Sequence, residues 1–324
     1  MGMRMSSDRI ALLLCLTAAL LGPDSLYSAQ TKGASATPAQ ASVATNVGAA
    51  CCNADAQNKL AATLGFVDIV GIKLGMTPSQ VTAALKANSP TLGSKVFTTR
   101  LIMPSTDPAF VKVPHYIVSH KSPAPAPDHS QEYIIIEFTL PPNPPIVDRI
   151  YRKVMFADGK GVTNGTLMSA MESKYGKETN INANSYHWMF LNSGQPVTKP
   201  LSGTNTECES VNGNQDGSFG NPPVNDNNPS TEYGDQPITL QYMSQPENAD
   251  IVPGCDAYVS VLGTTLSRNY ADPSTVALGM SVAMQSAELI HNSRVATRAW
   301  LQADLDAKNN KIKQNGAQQA APKL

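Results

Sequence analysis

The sequence predicts an α+β fold: two tandem units, each a helix packed on an antiparallel sheet, with a long C-terminal helix. Three observations lead there. The stretch Gly75-Met76-Thr77-Pro78-Ser79-Gln80-Val81 carries a full set of helix-start signals. Apolar runs of strand character, punctuated by Pro- and Gly-rich connections, follow it. From about Ser286, apolar residues recur at helical spacing instead.

The chain opens on a secretory signal over residues 1–28, with Arg4 and Arg9 ahead of the apolar core Ile10 to Leu21 and a cleavage region near Ser28-Ala29. That core falls short of the roughly 20 residues a spanning helix needs, so no membrane span is expected after cleavage. Residues 29–52 form a linker of Ala, Thr, Ser, Gln and Gly, which cannot bury enough surface to offset the entropy of ordering. The first α+β unit then spans 53–160 and the second 161–313, with a disordered tail over 314–324.

Within the first unit, Asn53 caps a short helix through Leu60 and Leu64, closed by Gly65. Phe66 to Leu74 reads as extended. In the next helix the Thr77 hydroxyl accepts from the Gln80 amide and Gln80 reaches back, which is a capping box. Pro78 takes the first helical position, and Met76 staples to Val81. Strands follow at Lys95–Met103, His115–His120, Tyr133–Leu140 and Ile146–Phe156. Ile134, Ile136, Phe138 and Leu140 share one face, as do Ile146, Ile150, Val154 and Phe156. Pro141 to Pro145 can only be a connection.

The second unit begins with a helix capped by Thr163 or Thr166 and stopped by Gly176, with Leu167, Met168, Met171 and Tyr175 on its apolar face. Strands are expected at Ser185–Leu191, Pro237–Met243, Ala257–Leu262 and Thr275–Met284. Gly203 to Asp235 is too rich in Asn, Gly, Asp and Pro to be anything but loop. In the terminal helix Leu289, Ala296, Ala299, Trp300 and Ala303 share a face. The competing arrangement is one continuous sheet with helices on one face.

The Gly-Met-Thr-x-x-x-Val start at Gly75 to Val81 resembles that of the BamE-like outer-membrane assembly lipoproteins and of the beta-lactamase inhibitory proteins. The resemblance implies a helical element on a small antiparallel sheet, two such units in the inhibitors, and a role in binding other proteins. Met168 to Gly176 is the second unit's counterpart, without the Gly-Met-Thr start. No lipid-attachment cysteine follows the signal core, a departure from the BamE-like pattern. No binding residue of that group maps onto this chain.

Of five cysteines, Cys15 lies in the signal, leaving Cys51, Cys52, Cys208 and Cys255. An even count in an exported chain points to disulfides. Cys208 with Cys255 is the preferred pair, because it would close a loop with little burial of its own. Cys51 and Cys52 are adjacent and their partners stay open.

The net charge of -1 argues against an electrostatic grip on nucleic acid. His115 and His120 sit five apart on a strand and so point to opposite faces, a poor metal arrangement; His129, His187 and His291 have no ligand spacing. Asn212 to Gly217 imitates the start of a calcium loop, but Pro223 stands where a bidentate Glu is needed, so a plain Asx-rich turn is the simpler reading. No cofactor is expected. No nucleophile, phosphate-loop or dinucleotide motif occurs. The functional expectation is an exported protein-binding module of the cell envelope or exterior, secreted or periplasmic, partnered by another envelope or extracellular protein. The alternative is an exported hydrolase using acid–base groups among Asp148, Asp158, Glu172, Asp256 and the histidines.

Overall fold

A computed structural model describes residues 54–105, 110–120, 130–182, 185–197, 238–243, 258–269 and 271–318. The expectations for the signal and linker, for residues 319–324 of the tail, and for Asn53, the Gly203 to Asp235 loop with Asn212 to Gly217, His129, Asp256 and all cysteines lie outside these residues. Four helices of more than one turn occur among the described residues: α1 (Ala54–Thr63), α2 (Pro78–Asn88), α3 (Asn164–Tyr175) and α4 (Ala287–Gln318). Strands β1 (Gly93–Ile102), β2 (Phe110–His120), β3 (Gln131–Phe138) and β4 (Val147–Met155) follow α2. Strands β5 (Asn180–Asn182), β6 (Ser185–Leu191), β7 (Tyr258–Leu266) and β8 (Gly279–Ser286) follow α3. The class is α+β with antiparallel pairing and a long C-terminal helix.

All eight strands form one sheet, in the order β1-β2-β3-β4-β8-β7-β6-β5. Each unit is thus a helix followed by an antiparallel meander, and the two meet through their last strands. That joint runs from Arg149↔Gln285 to Met155↔Gly279, so the two units share one continuous sheet. Ile117, Ile136, Ile150, Met284, Val261 and Trp188 stand opposite one another in successive strand pairs. All six are at most 1% exposed. This row is the spine of the core, and Val81 and Leu85 of α2 and Leu167, Met171 and Tyr175 of α3 pack in the same cluster. Burial on this scale stabilises by roughly 1.5–3 kcal/mol per large apolar side chain.

Local chemistry sets the helix starts. The Thr77 amide donates to Gln80 Oε1 at 2.8 Å, and the Gln80 amide donates to Thr77 Oγ1 at 3.4 Å, with Pro78 opening the helix. Thr163 caps α3, accepting from the Thr166 amide. Helix α4 leaves the end of β8 and runs past the loop ends of β3 and β1. The Leu140 amide donates to Ser293 Oγ, Thr297 Oγ1 donates to Pro141 O, and the Ser105 amide donates to Asp304 Oδ2. Its Leu301 joins Leu101, Val113 and Leu140 in a second apolar cluster.

Three expectations are corrected. Phe66 to Leu74 is not extended throughout: Ile69 and Ile72 exchange hydrogen bonds across a two-residue turn, with Val70 at φ 48° and Gly71 at φ 79°. Positive φ at both central residues is the type I′ pattern, and Asp68 Oδ1 fixes it by accepting from the Gly71 amide at 2.8 Å. Of the strand expected at Pro237–Met243, the described residues 238–243 form no strand of the second unit. Ile238 makes one parallel bridge to Leu101 on the outer edge of β1, and a single helical turn, Leu240–Met243, follows. The strand paired outside β6 is Asn180–Asn182, three residues too polar to register as a strand by pattern. The terminal helix extends to Gln318 rather than ending near Lys313, so residues 314–318, expected in a disordered tail, are helical.

Candidate functional site

The sheet face opposite α2 and α3 carries a separate apolar cluster. Tyr133 and Ile135 are buried there with Phe97 and Tyr151 packed against them. The rings of Tyr133 and Tyr151 lie 5.9 Å apart, Lys153 Nζ sits over the Tyr133 ring and Lys95 Nζ over Phe97. Register continues this face across the joint through Ala283, Leu262 and His187, partners of Tyr151 in successive pairs. Tyr151, Lys153, Ala283, Leu262 and His187 are all half-buried. The face is therefore a shallow surface of aromatic, aliphatic and cationic groups. Aromatic side chains are enriched at protein interfaces.

On the helix side lies a cleft of about 200 Å³ between α3, the turn at Ile69-Val70, and strands β4 and β8. Ile69, Val70, Leu167, Met171, Met280 and Val282 supply its apolar wall, with Ala170 of α3 beside them. Its polar lining is Arg152, Lys174 and Tyr175. Each is held from behind. Arg152 Nη2 is 2.8 Å from Glu132 Oε1, and Lys174 Nζ donates to Asp68 Oδ1 at 3.0 Å. The Tyr175 hydroxyl donates to Asp68 O at 3.1 Å. Burial, and then the Asp68 charge, raise the Tyr175 pKa, so its hydroxyl stays a donor. Burial alone would raise Asp68 as well, but the Gly71 amide and Lys174 overcome it and hold the carboxyl below its usual range.

The carboxylates weighed for acid–base work do not converge. Asp148 and Asp158 lie at or beyond opposite ends of β4, whose 9 residues span roughly 30 Å. Asp148 is buried, and its burial, reinforced by Glu137 and opposed by Arg149 and Arg294, pushes its carboxyl up to about 8. Glu172 is exposed on α3, raised first by a hydrogen bond to Glu178 and then by burial. His187 lies on β6, His291 on α4, and His115 and His120 fall in β2. None of Asp148, Asp158, Glu172, His187 and His291 lines the cleft. No group of three or more His, Cys, Asp or Glu that could hold a metal occurs among the described residues. No helix among them is long and apolar enough to cross a membrane.

The capping residues Met76, Thr77, Pro78, Gln80 and Val81 start α2. Their neighbour Gly75 has a tertiary role: its amide donates to Val147 O, and the Val147 amide donates to Met76 O, tying the helix start to β4. Neither surface above could be found from the sequence, since each is assembled from several elements. The nearest signal was Gly71 after two β-branched residues, a turn glycine. No protein-family model, curated protein or solved structure matches the chain.

Proposed function

We propose that this chain is an exported, non-catalytic interaction module that binds another protein of the cell envelope or exterior through the sheet face opposite α2 and α3. The observation that carries this reading is the aromatic and cationic surface around Tyr133, Tyr151, Phe97 and Lys153, set apart from the main core. A sheet face carrying the half-buried Phe97 and Tyr151 supplies contact area at low conformational cost, which suits a protein partner better than a small substrate. The likeness of Gly75 to Val81 to the BamE-like and beta-lactamase inhibitory proteins points the same way. The secretory character of residues 1–28 supports a secreted or periplasmic location. A hydrolase reading would need acid–base groups converging on a pocket, and the cleft lining holds neither carboxylate nor histidine.

A photo-crosslinking residue placed at Ala283 or Leu262, with one at exposed Thr82 on α2 as the control, tests this in the exporting cell. The expected result is a discrete protein adduct from the sheet positions and none from Thr82. Adducts from neither face, or equally from both, would refute the assignment.

A further inference from the structure

The cleft beneath α3 has a chemistry that the protein-binding face does not use. Among its ten lining residues two are cationic, Arg152 and Lys174, and none is anionic. Glu132 and Asp68 pair with them from outside the lining, so an anionic head group would be met by the remaining N–H donors of the guanidinium and ammonium. The remainder is apolar apart from the Tyr175 hydroxyl, and Met171 and Met280 can re-pack around an irregular guest. A second observation concerns its rim. Val70 stands at φ 48°, a conformation that is a genuine outlier for a β-branched residue. Asn before Gly71 would suit the same turn without strain. Val70 nevertheless lines the cleft, and Asp68 holds the turn through Gly71, Lys174 and Tyr175. Strain kept at a cleft wall is a mark of a ligand clamp.

We infer that this cleft binds a small anionic amphiphile, a medium-chain carboxylate, with its tail against Val70, Leu167, Met171 and Met280 and its head group beside Arg152 and Lys174. Apolar area sets the affinity and the two cations set the sign of the head group. The exposed position of Lys174 at the mouth puts the carboxylate at the solvent edge, so the tail enters first.

Titration calorimetry of the whole chain with hexanoate, octanoate and octylammonium tests this. Octanoate is expected to bind more tightly than hexanoate, by up to about fourfold per buried methylene, and octylammonium is expected not to bind. Val70→Asn should melt at or above the wild-type temperature yet bind octanoate at least about fourfold more weakly. Lys174→Gln should weaken octanoate by about two- to fivefold, and Ala170→Trp should abolish binding by filling the cleft. Should Ala170→Trp fail to fold, Val70→Asn and Lys174→Gln carry the test. No heat with octanoate, equal binding of octylammonium, or octanoate affinity unchanged in both Val70→Asn and Lys174→Gln would overturn the assignment.

Discussion

Replacing Gly75 by Ala tests how the first unit is closed. Gly75 sits at φ 82°, and a Cβ there would fall 2.6 Å from Ala61 O, 2.8 Å from Ala61 Cβ and 2.9 Å from Ala61 Cα. These are backbone and near-backbone atoms of α1, so no rotamer change relieves the overlap. Two costs add. The left-handed conformation costs a non-glycine residue about 1–2 kcal/mol. Forcing α1 away from the Gly75 backbone is overpacking, about 1–3 kcal/mol, because Leu64, fully buried just past the end of α1, moves with it. The expected loss for Gly75→Ala is therefore about 2–5 kcal/mol. Gly159 supplies the control, with φ 69° and nothing within 4 Å of its Cβ position. Gly159→Ala should show the conformational cost alone, about 1–2 kcal/mol. Urea unfolding of both variants reads the difference. A double-mutant cycle with Leu64→Ala adds a second check, since displacement of α1 should make Leu64→Ala cost less in the Gly75→Ala background. Equal losses for Gly75→Ala and Gly159→Ala, with an additive cycle, would refute the close-approach argument.

Thr77→Ala should cost about 1 kcal/mol, because the Gln80 amide loses its acceptor; an unchanged melting temperature would place the helix start elsewhere. Asp148 is raised from 3.8 to about 8, so the folded state holds a proton that the unfolded chain releases. That contribution to stability is complete below about pH 4 and is lost as pH rises towards 8, with a slope of at most about 1.4 kcal/mol per pH unit. Asp148→Asn should remove this fall, giving a stability gain over wild type that is larger at pH 8 than at pH 5, and identical pH profiles in urea unfolding would contradict it. Peptide mapping under non-reducing conditions should recover Cys208 linked to Cys255; free thiols at both, or linkage of either to Cys51 or Cys52, would end that pairing.

The sequence by itself determined what depends on neighbours along the chain. Thr77, Pro78 and Gln80 place the start of α2, and Thr163 and Gly176 bound α3, because caps satisfy amides and carbonyls only a few residues away. Strand period groups Ile134 with Ile136 and Tyr133 with Ile135, but it does not say which pair meets α2 and α3: Tyr133 to Ile136 are buried in succession, as are Val147 to Ile150 in β4. The tertiary structure alone decided what depends on residues far apart. Nothing in β4 or β8 individually specifies that Ile150 lies opposite Met284. That pairing turns two meanders into one sheet. Ile238 looked like a strand of the second unit, yet its amide and carbonyl are satisfied at the edge of β1. Val70 gave no sign of a left-handed turn, because Val prefers extended backbone; Asp68, with Lys174 and Tyr175 holding it from α3, imposes the conformation. The cleft, the aromatic face and the burial of Asp148 likewise arise where separate elements meet. A short-range pattern encodes hydrogen bonds within a turn or helix end. Which surfaces lose their water depends on how those elements pair, and that is settled only when the whole sheet closes.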